Sequence, residues 1–394
     1  MQYLADTDRL VADGVLSAEQ ARIIRLRSRD AMVALVVNSV LCAGIVAAAS
    51  GFIFWLADPM TVAVTGLLFL AAGIAILARA GRLYAMLGHA AALIGAGMLM
   101  GGATIEIIDK LGEDAAGGVL LTMGGVIAVA AALLRRRLPA TLGFLLGSVL
   151  VMGAAMHLAG LYLSLEASGT RGLPVALVHL YAAVVVGVIG VLVDVRLLTA
   201  LAVLPFAQML DTATAYFGAI YAFISPEPTL SILQMAVLAL ACLWVRSSSA
   251  DRMGRHAGIL GIMAVVVGNL CFLVGSLWGD VVGSHIWFSA ADTGDWEAWD
   301  KAQKEFAETT LVISAGVYSI IWAVALAGLA FWAAAWNRRG IFNAALTFAA
   351  IHGYTQAFES FGDQPLAYVV GGLAAIPLAW GAWRINQRFP AAPA

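Results

Sequence analysis

Asp211 stands alone in an apolar stretch running from residue 197 to residue 224, with Gln208 three residues before it, Thr212 beside it and Tyr216 further on. On a continuous helix it would sit about 22 Å of rise beyond Arg196. A carboxylate at that depth in hydrocarbon is expensive to ionise, so a proton or a cation is its natural partner. The plainer reading is a neutral acid hydrogen-bonded to a neighbouring helix. His352, Gln356 and Glu359 follow the spacing i, i+4, i+7, which puts all three on one face of a helix. Histidine titrates near neutrality and glutamate can be tuned toward it, so this stripe suits proton transfer as well as an interhelical hydrogen-bond seam.

Glu106 and Asp280 fall toward the outer ends of their apolar stretches, as do Asn38, His157 and Asn269. His157 and His179 lie at similar depth on adjacent stretches, and two facing histidines can ligate haem, although no CxxCH is present. Packing is the simpler role for both. Cys42, Cys242 and Cys271 sit in apolar runs with neither CxxC nor His/Cys ligand spacing, so no metal and no cofactor is expected. HExxH, GxSxG and Walker patterns are absent, and the chain is not expected to be an enzyme.

The elements that must position these residues are set by composition. The chain has 394 residues, 62% of them hydrophobic and 12% charged, with a mean hydropathy of +0.92. Soluble domains carry about a quarter charged residues, so the lipid bilayer is the expected surroundings and nucleic acid is not an expected partner. Twelve spans are predicted, near 31–57, 60–79, 84–106, 115–134, 138–164, 173–193, 197–224, 228–245, 257–286, 310–336, 340–360 and 365–384. The fold class is therefore an all-α integral membrane protein.

Lysine and arginine orient the spans. One side collects 18 of the 22, including Arg79, Arg196, Arg246, Arg255 and Arg338, whereas Lys110, Arg171, Lys301 and Lys304 lie on the other. Retention of basic residues in the cytoplasm then places both termini inside, at the inner membrane of a bacterium. Successive arginines from Arg29 to Arg255 recur every 53 to 59 residues, so the chain reads as six in-out-in hairpins. Outward-running helices carry most of the polar residues and are expected to wall a cavity open to the outside.

Residues 1–30 have no apolar leader and read as a cytoplasmic helical hairpin, broken at Asp13-Gly14 and restarted by a capping box of Ser17 and Gln20. The polytopic domain covers 31–386 and a cytoplasmic tail covers 387–394. Within it, the outer loop 287–309 reads as an amphipathic helix with Trp296, Trp299 and Phe306 on one face. Either 1–30 or 287–309 could dock a protein partner. Gly97/Gly101, Gly143/Gly147 and Gly275/Gly279 form GxxxG pairs, and Gly261, Gly268 and Gly275 recur every seven residues, all suited to close helix packing.

The loop Asp251-Arg252-Met253-Gly254-Arg255 resembles the loop signature of the major facilitator superfamily, and Ala78-Arg79-Ala80-Gly81-Arg82 occupies the matching earlier loop without the aspartate. The layout more broadly resembles a group of uncharacterised bacterial polytopic membrane proteins. It shares with them a leading segment of the form Leu10…Gly14-Val-Leu-Ser17-Ala-Glu-Gln20-Ala and the stretch Gly44 to Trp55 followed by Asp58-Pro59. The first resemblance implies transport; the second implies no activity. The function expected is transport of a small solute or ion, with proton coupling through the acids. The alternative is a non-catalytic subunit or sensor that binds a partner protein.

Overall fold

A computed structural model describes residues 7–24, 58–79, 84–170, 172–210, 214–217, 222–249, 251–286, 296–361 and 364–387, with Thr212 and scattered positions between 40 and 51. Most of the predicted span 31–57, and Asp211, lie outside the described residues. The helices are α1 (Thr7–Ala12), α2 (Pro59–Arg79), α3 (Ala85–Arg137), α4 (Gly143–Ala167), α5 (Leu173–Val193), α6 (Arg196–Leu201), α7 (Val203–Gln208), α8 (Pro228–Ser248), α9 (Arg252–Trp278), α10 (Trp296–Thr309), α11 (Ala315–Ala335), α12 (Arg339–Phe361) and α13 (Pro365–Gln387). Seven helices among the described residues are long and apolar enough to cross a membrane: α2, α3, α4 with its leading turn, α5, α8, α9 and α11. At about 1.5 Å per residue, the 21 residues of α2, α5, α8 or α11 match a hydrocarbon core of about 30 Å. Large apolar side chains stand exposed on them, such as Phe331 at 79% and Val126 at 69%. A membrane-embedded helical protein accounts for that surface.

The chain divides into two compact units, Met1–Gly169 and Thr170–Ala394. In the first, Ser17 and Gln20 exchange hydrogen bonds, Gln20 N to Ser17 Oγ at 3.1 Å and Ser17 N to Gln20 Oε1 at 2.9 Å. The 53-residue α3 is two helices joined at Gly112, whose φ of 73° is open to glycine and strained for other residues. Glu113 and Asp114 then begin the second arm, where carboxylates complement the helix dipole.

The closest packing in this unit runs across the two turns that carry or adjoin arginines: α2 against the first arm of α3, and the second arm of α3 against α4. Glycine lets the backbones touch. A Cβ on Gly95 would lie 2.3 Å from Leu70 N and 2.6 Å from Gly66 O, and one on Gly102 would lie 2.6 Å from Pro59 O and 2.8 Å from Ala63 N. Adding 58 to every number gives the second pair: Gly153 against Ala128 N and Gly124 O, and Gly160 against Gly117 O and Leu121 N. The second pair repeats the first in register. Among the described residues of this unit, the helices that meet through glycine are those joined by the turns that carry or adjoin arginines. These contacts use glycines seven residues apart, while Gly101 and Gly143, from the GxxxG pairs, meet nothing within 4 Å.

In the second unit the same logic joins α5 to α6, α8 to α9 and α11 to α12. Asp194 ends α5 in the left-handed region at φ 61°. Its Oδ1 accepts from His256 Nε2 at 2.9 Å and faces Arg252 Nε at 3.3 Å, while His256 Nδ1 lies 2.6 Å from Thr199 Oγ1. The His256 hydrogen bond, aided by Arg252, holds the Asp194 carboxyl below its ordinary value of 3.8. A depressed folded value means that the contribution to stability is complete above 3.8 and is lost as pH falls through the folded value. Asp194→Asn keeps a side chain suited to the left-handed position. It is expected to lower the melting temperature at neutral pH and to flatten the decline in acid, as thermal melts across pH will show.

The predicted span 197–224 is the main departure from expectation. It is not one helix: α6 and α7 are six residues each, and the chain then forms a hairpin of β1 (Ala215–Phe217) with β2 (Ala222–Ile224) before α8 begins. Pro205 lies inside α7, and Pro226 and Pro228 bracket the entry to α8. The ninth span ends earlier than predicted, at Trp278, because Gly279 turns at φ 73° and Asp280 starts β3 (Asp280–Val281), paired with β4 (Val312–Ile313).

Candidate functional site

The broken segment brings a set of polar side chains into the interior of the second unit. α7 ends at Gln208, whose Nε2 donates to Thr214 O at 2.5 Å. Thr212 Oγ1 donates back to Ala207 O at 3.0 Å, and Gln234 Nε2, from α8, donates to Phe206 O. The carbonyls freed where the helix stops are therefore met by side chains, as hydrocarbon requires of broken backbone. Thr214 Oγ1 joins Ser225 Oγ at 2.9 Å and Ser231 Oγ at 2.7 Å, and Ser225 donates to Cys271 Sγ at 3.6 Å. Thr212, Thr214, Ser225, Ser231 and Gln234 are all buried.

Two carboxylates flank the first turn of α8. Glu227 is fully buried and accepts from Gly283 N at 2.8 Å and His285 N at 2.5 Å. Asp280 Oδ2 accepts from Thr229 N at 3.0 Å, from Thr229 Oγ1, and from Tyr318 OH at 3.2 Å. The start of a helix favours carboxylates there, through unpaired N–H groups and the dipole. One turn along α11 from Tyr318, Trp322 Nε1 donates to Asn269 Oδ1 at 2.8 Å. The Trp322 ring stacks with Phe272 at 6.3 Å and meets the ring of His352 edge-on at 4.7 Å.

Several buried polar atoms have no hydrogen-bond partner among the described residues: Asp280 Oδ1, Gln234 Oε1, His352 Nδ1 and Gln356 Nε2. The first two are pure acceptors beside the paired hydroxyls and amides of this interior. Such oxygens suit a proton, a cation or a ligand with N–H or O–H groups.

The sequence candidates divide accordingly. Gln208 and Asp280 belong to this polar interior, Asp280 from a strand rather than a span. Asp211 lies outside the described residues, next in sequence to Thr212. His352 and Gln356 are half-buried on α12, but Glu359 is exposed. Glu106 belongs to the first unit and faces Lys110 at 3.8 Å. His157 Nδ1 meets Leu121 O at 2.7 Å, and His179 Nδ1 meets Val175 O at 2.9 Å, the first in one unit and the second in the other. Sequence reasoning missed Glu227, Thr214, Ser225, Ser231 and Tyr318. The Pro226-Glu227-Pro228 run was the available signal, because two prolines mark a helix start and place a carboxylate at its N-cap.

A membrane-embedded helical protein with a discontinuous helix and an enclosed polar interior is the class that the fold and this site define. No protein-family model, no curated protein and no solved structure matches the chain.

Proposed function

We propose that the chain is a twelve-span protein of the bacterial inner membrane, both termini cytoplasmic, that transports a small solute or ion through its second unit. The cargo binds where α7 gives way to the β1–β2 hairpin and to the start of α8. Asp280 takes up the proton or cation that couples or forms the cargo, Gln208, Gln234 and the Thr214, Ser225 and Ser231 hydroxyls line the site, and Asp211 is a second candidate acid on sequence grounds.

The observation that carries this reading is an apolar stretch interrupted beside buried polar groups, two of them acceptor oxygens with no donor among the described residues. Irregular backbone at membrane depth is tolerated where protein buries it or where it lines a wet cavity, and discontinuous helices form the binding sites of many transporters. A transport site must exchange with water, whereas a packing seam stays dry. Ser231→Cys, nearly isosteric, tests this in a Cys42→Ala background, whose two other cysteines, Cys242 and Cys271, are buried. Labelling of Cys at this position by a membrane-impermeant thiol reagent is expected from at least one face of the membrane. A cysteine that stays unreactive from both faces would remove the transport reading.

A second reading is favoured by α10. Its Lys304–Asp300 and Lys301–Glu305 pairs line the polar face, at 2.6 and 3.8 Å, while Trp299 is 36% exposed. In that reading the chain is a non-catalytic subunit or sensor, and α10 meets a partner protein or the membrane surface.

A further inference from the structure

A cavity of about 630 Å³ opens at the arginine-bearing end of the second unit, bounded by α8, α9, α11 and the start of α12. It is separate from the polar interior described above, and its character is different. The walls are apolar, with Leu243, Ile262, Val265 and Leu329 among them, and the mouth carries Arg246 and Arg338, with Arg339 also in the lining. Pockets for small ligands span about 300–1,000 Å³, so the space admits part of a lipid rather than a single ion.

The two arginines are short of anions. They repel one another, and neither has an ion pair or side-chain hydrogen bond among the described residues. Two acids of the second unit near these helix ends are engaged elsewhere: Asp251 accepts from Met253 N at 3.1 Å, and Asp194 holds His256 and Arg252. The Arg246 guanidinium lies over Gly258, where a Cβ would come within 1.9 Å of Nη1. Beside it, Gly340 and Ile341 line the cavity in the first turn of α12, where backbone N–H groups have no helical acceptor.

We propose that this cavity binds an anionic phospholipid, its phosphate held between Arg246 and Arg338 at the mouth and an acyl chain lying along the apolar wall. Charge complementarity selects the occupant. A zwitterionic lipid offers the same chain without the net charge, and free phosphate offers the charge without the chain. Basic pockets between membrane helices on the cytoplasmic side are suited to such headgroups. The proposal does not depend on transport, since the cavity and the broken-helix site share no lining residue.

The test uses the full chain, stripped of lipid in neutral detergent and titrated with phosphatidylglycerol, phosphatidylcholine or inorganic phosphate, with occupancy read by native mass spectrometry. Phosphatidylglycerol is expected to bind about tenfold or more tightly than phosphatidylcholine, a preference that the double variant Arg246→Gln/Arg338→Gln abolishes. Gly328→Leu approaches from the other side. Gly328 lines the cavity with nothing within 4 Å of an added Cβ, so a leucine side chain there starts in open space and takes up cavity volume. It is expected to weaken phosphatidylglycerol binding without lowering the melting temperature of the lipid-free protein. Equal binding of the two lipids, retention of the preference in the double variant, or binding of inorganic phosphate as tight as that of phosphatidylglycerol would each overturn the proposal.

Discussion

Replacing Glu227 by alanine is expected to destabilise the second unit by about 3–6 kcal/mol, since each of two hydrogen bonds to its carboxylate contributes about 1.5–3 kcal/mol. Glu227 is fully buried and ties residues 283 and 285 to the head of α8, across 56 and 58 residues of chain. Alanine leaves both N–H groups without an acceptor and empties the volume between them. Glu227→Gln retains one acceptor oxygen but turns its NH₂ toward the other N–H, so it falls between the two. Melting temperature in detergent checks the order wild type, Gln, Ala. Limited proteolysis at the 282–286 turn checks the location, since the turn should open before the helices do. An alanine variant that melts with wild type would mean that the carboxylate contributes no net stability.

The second large effect concerns the duplicated helical pairs. Gly160→Ala puts a Cβ within 2.2 Å of Leu121 N, and its counterpart Gly102→Ala puts one within 2.6 Å of Pro59 O. The obstacle is backbone, which cannot rotate aside, so the helices must part. Overpacking of this kind costs about 1–3 kcal/mol and occasionally more. Gly101→Ala is the control: nothing lies within 4 Å of its Cβ, and alanine in a helix is favoured over glycine by about 0.5–1 kcal/mol. Opposite signs at neighbouring positions 101 and 102 are therefore expected in thermal melts. A neutral Gly102→Ala would show that the pairs do not touch through these glycines.

Much of the helical layout was legible because hydropathy and arginine placement report on spans directly. The spans at 60–79 and 173–193 match α2 and α5 within a residue. What hydropathy could not resolve was the state of the apolar chain between 197 and 224. Ala, Val, Leu and Phe are as acceptable in a short strand as in a helix, and the local punctuation decides. Pro205 and the Pro226-Glu227-Pro228 run carried that punctuation.

The site was legible in its residue types and less so in its connections. Gln208 and Asp280 stood out as polar groups in apolar surroundings. Their partners did not, because Thr214, Ser225 and Ser231 are small hydroxyl residues that a sequence uses everywhere. The distance of Thr229 from Asp280 and of Thr214 from Ser231 is a property of the tertiary fold, not of spacing along the chain. Glycine spacing was informative in its heptad form, where Gly261 and Gly268 approach Cys242 and Met235, and in the GxxxG pair Gly275/Gly279, whose added Cβ atoms would meet Tyr318 and Ile313, but not at Gly101 or Gly143.

Transport itself is tested most directly by flux. Purified protein in proteoliposomes, loaded with a pH-sensitive dye and driven by gradients of protons and of common monovalent cations, is compared with Asp280→Asn. The variant keeps an acceptor oxygen for Thr229 and Tyr318 but removes the charge that would carry a proton or cation. Flux well above empty liposomes in wild type, reduced about tenfold or more in the variant, is the result that the broken-helix site predicts. Equal flux in the two proteins would contradict a role for Asp280, and no flux in wild type under any gradient would contradict ion or proton transport and favour the subunit or sensor reading.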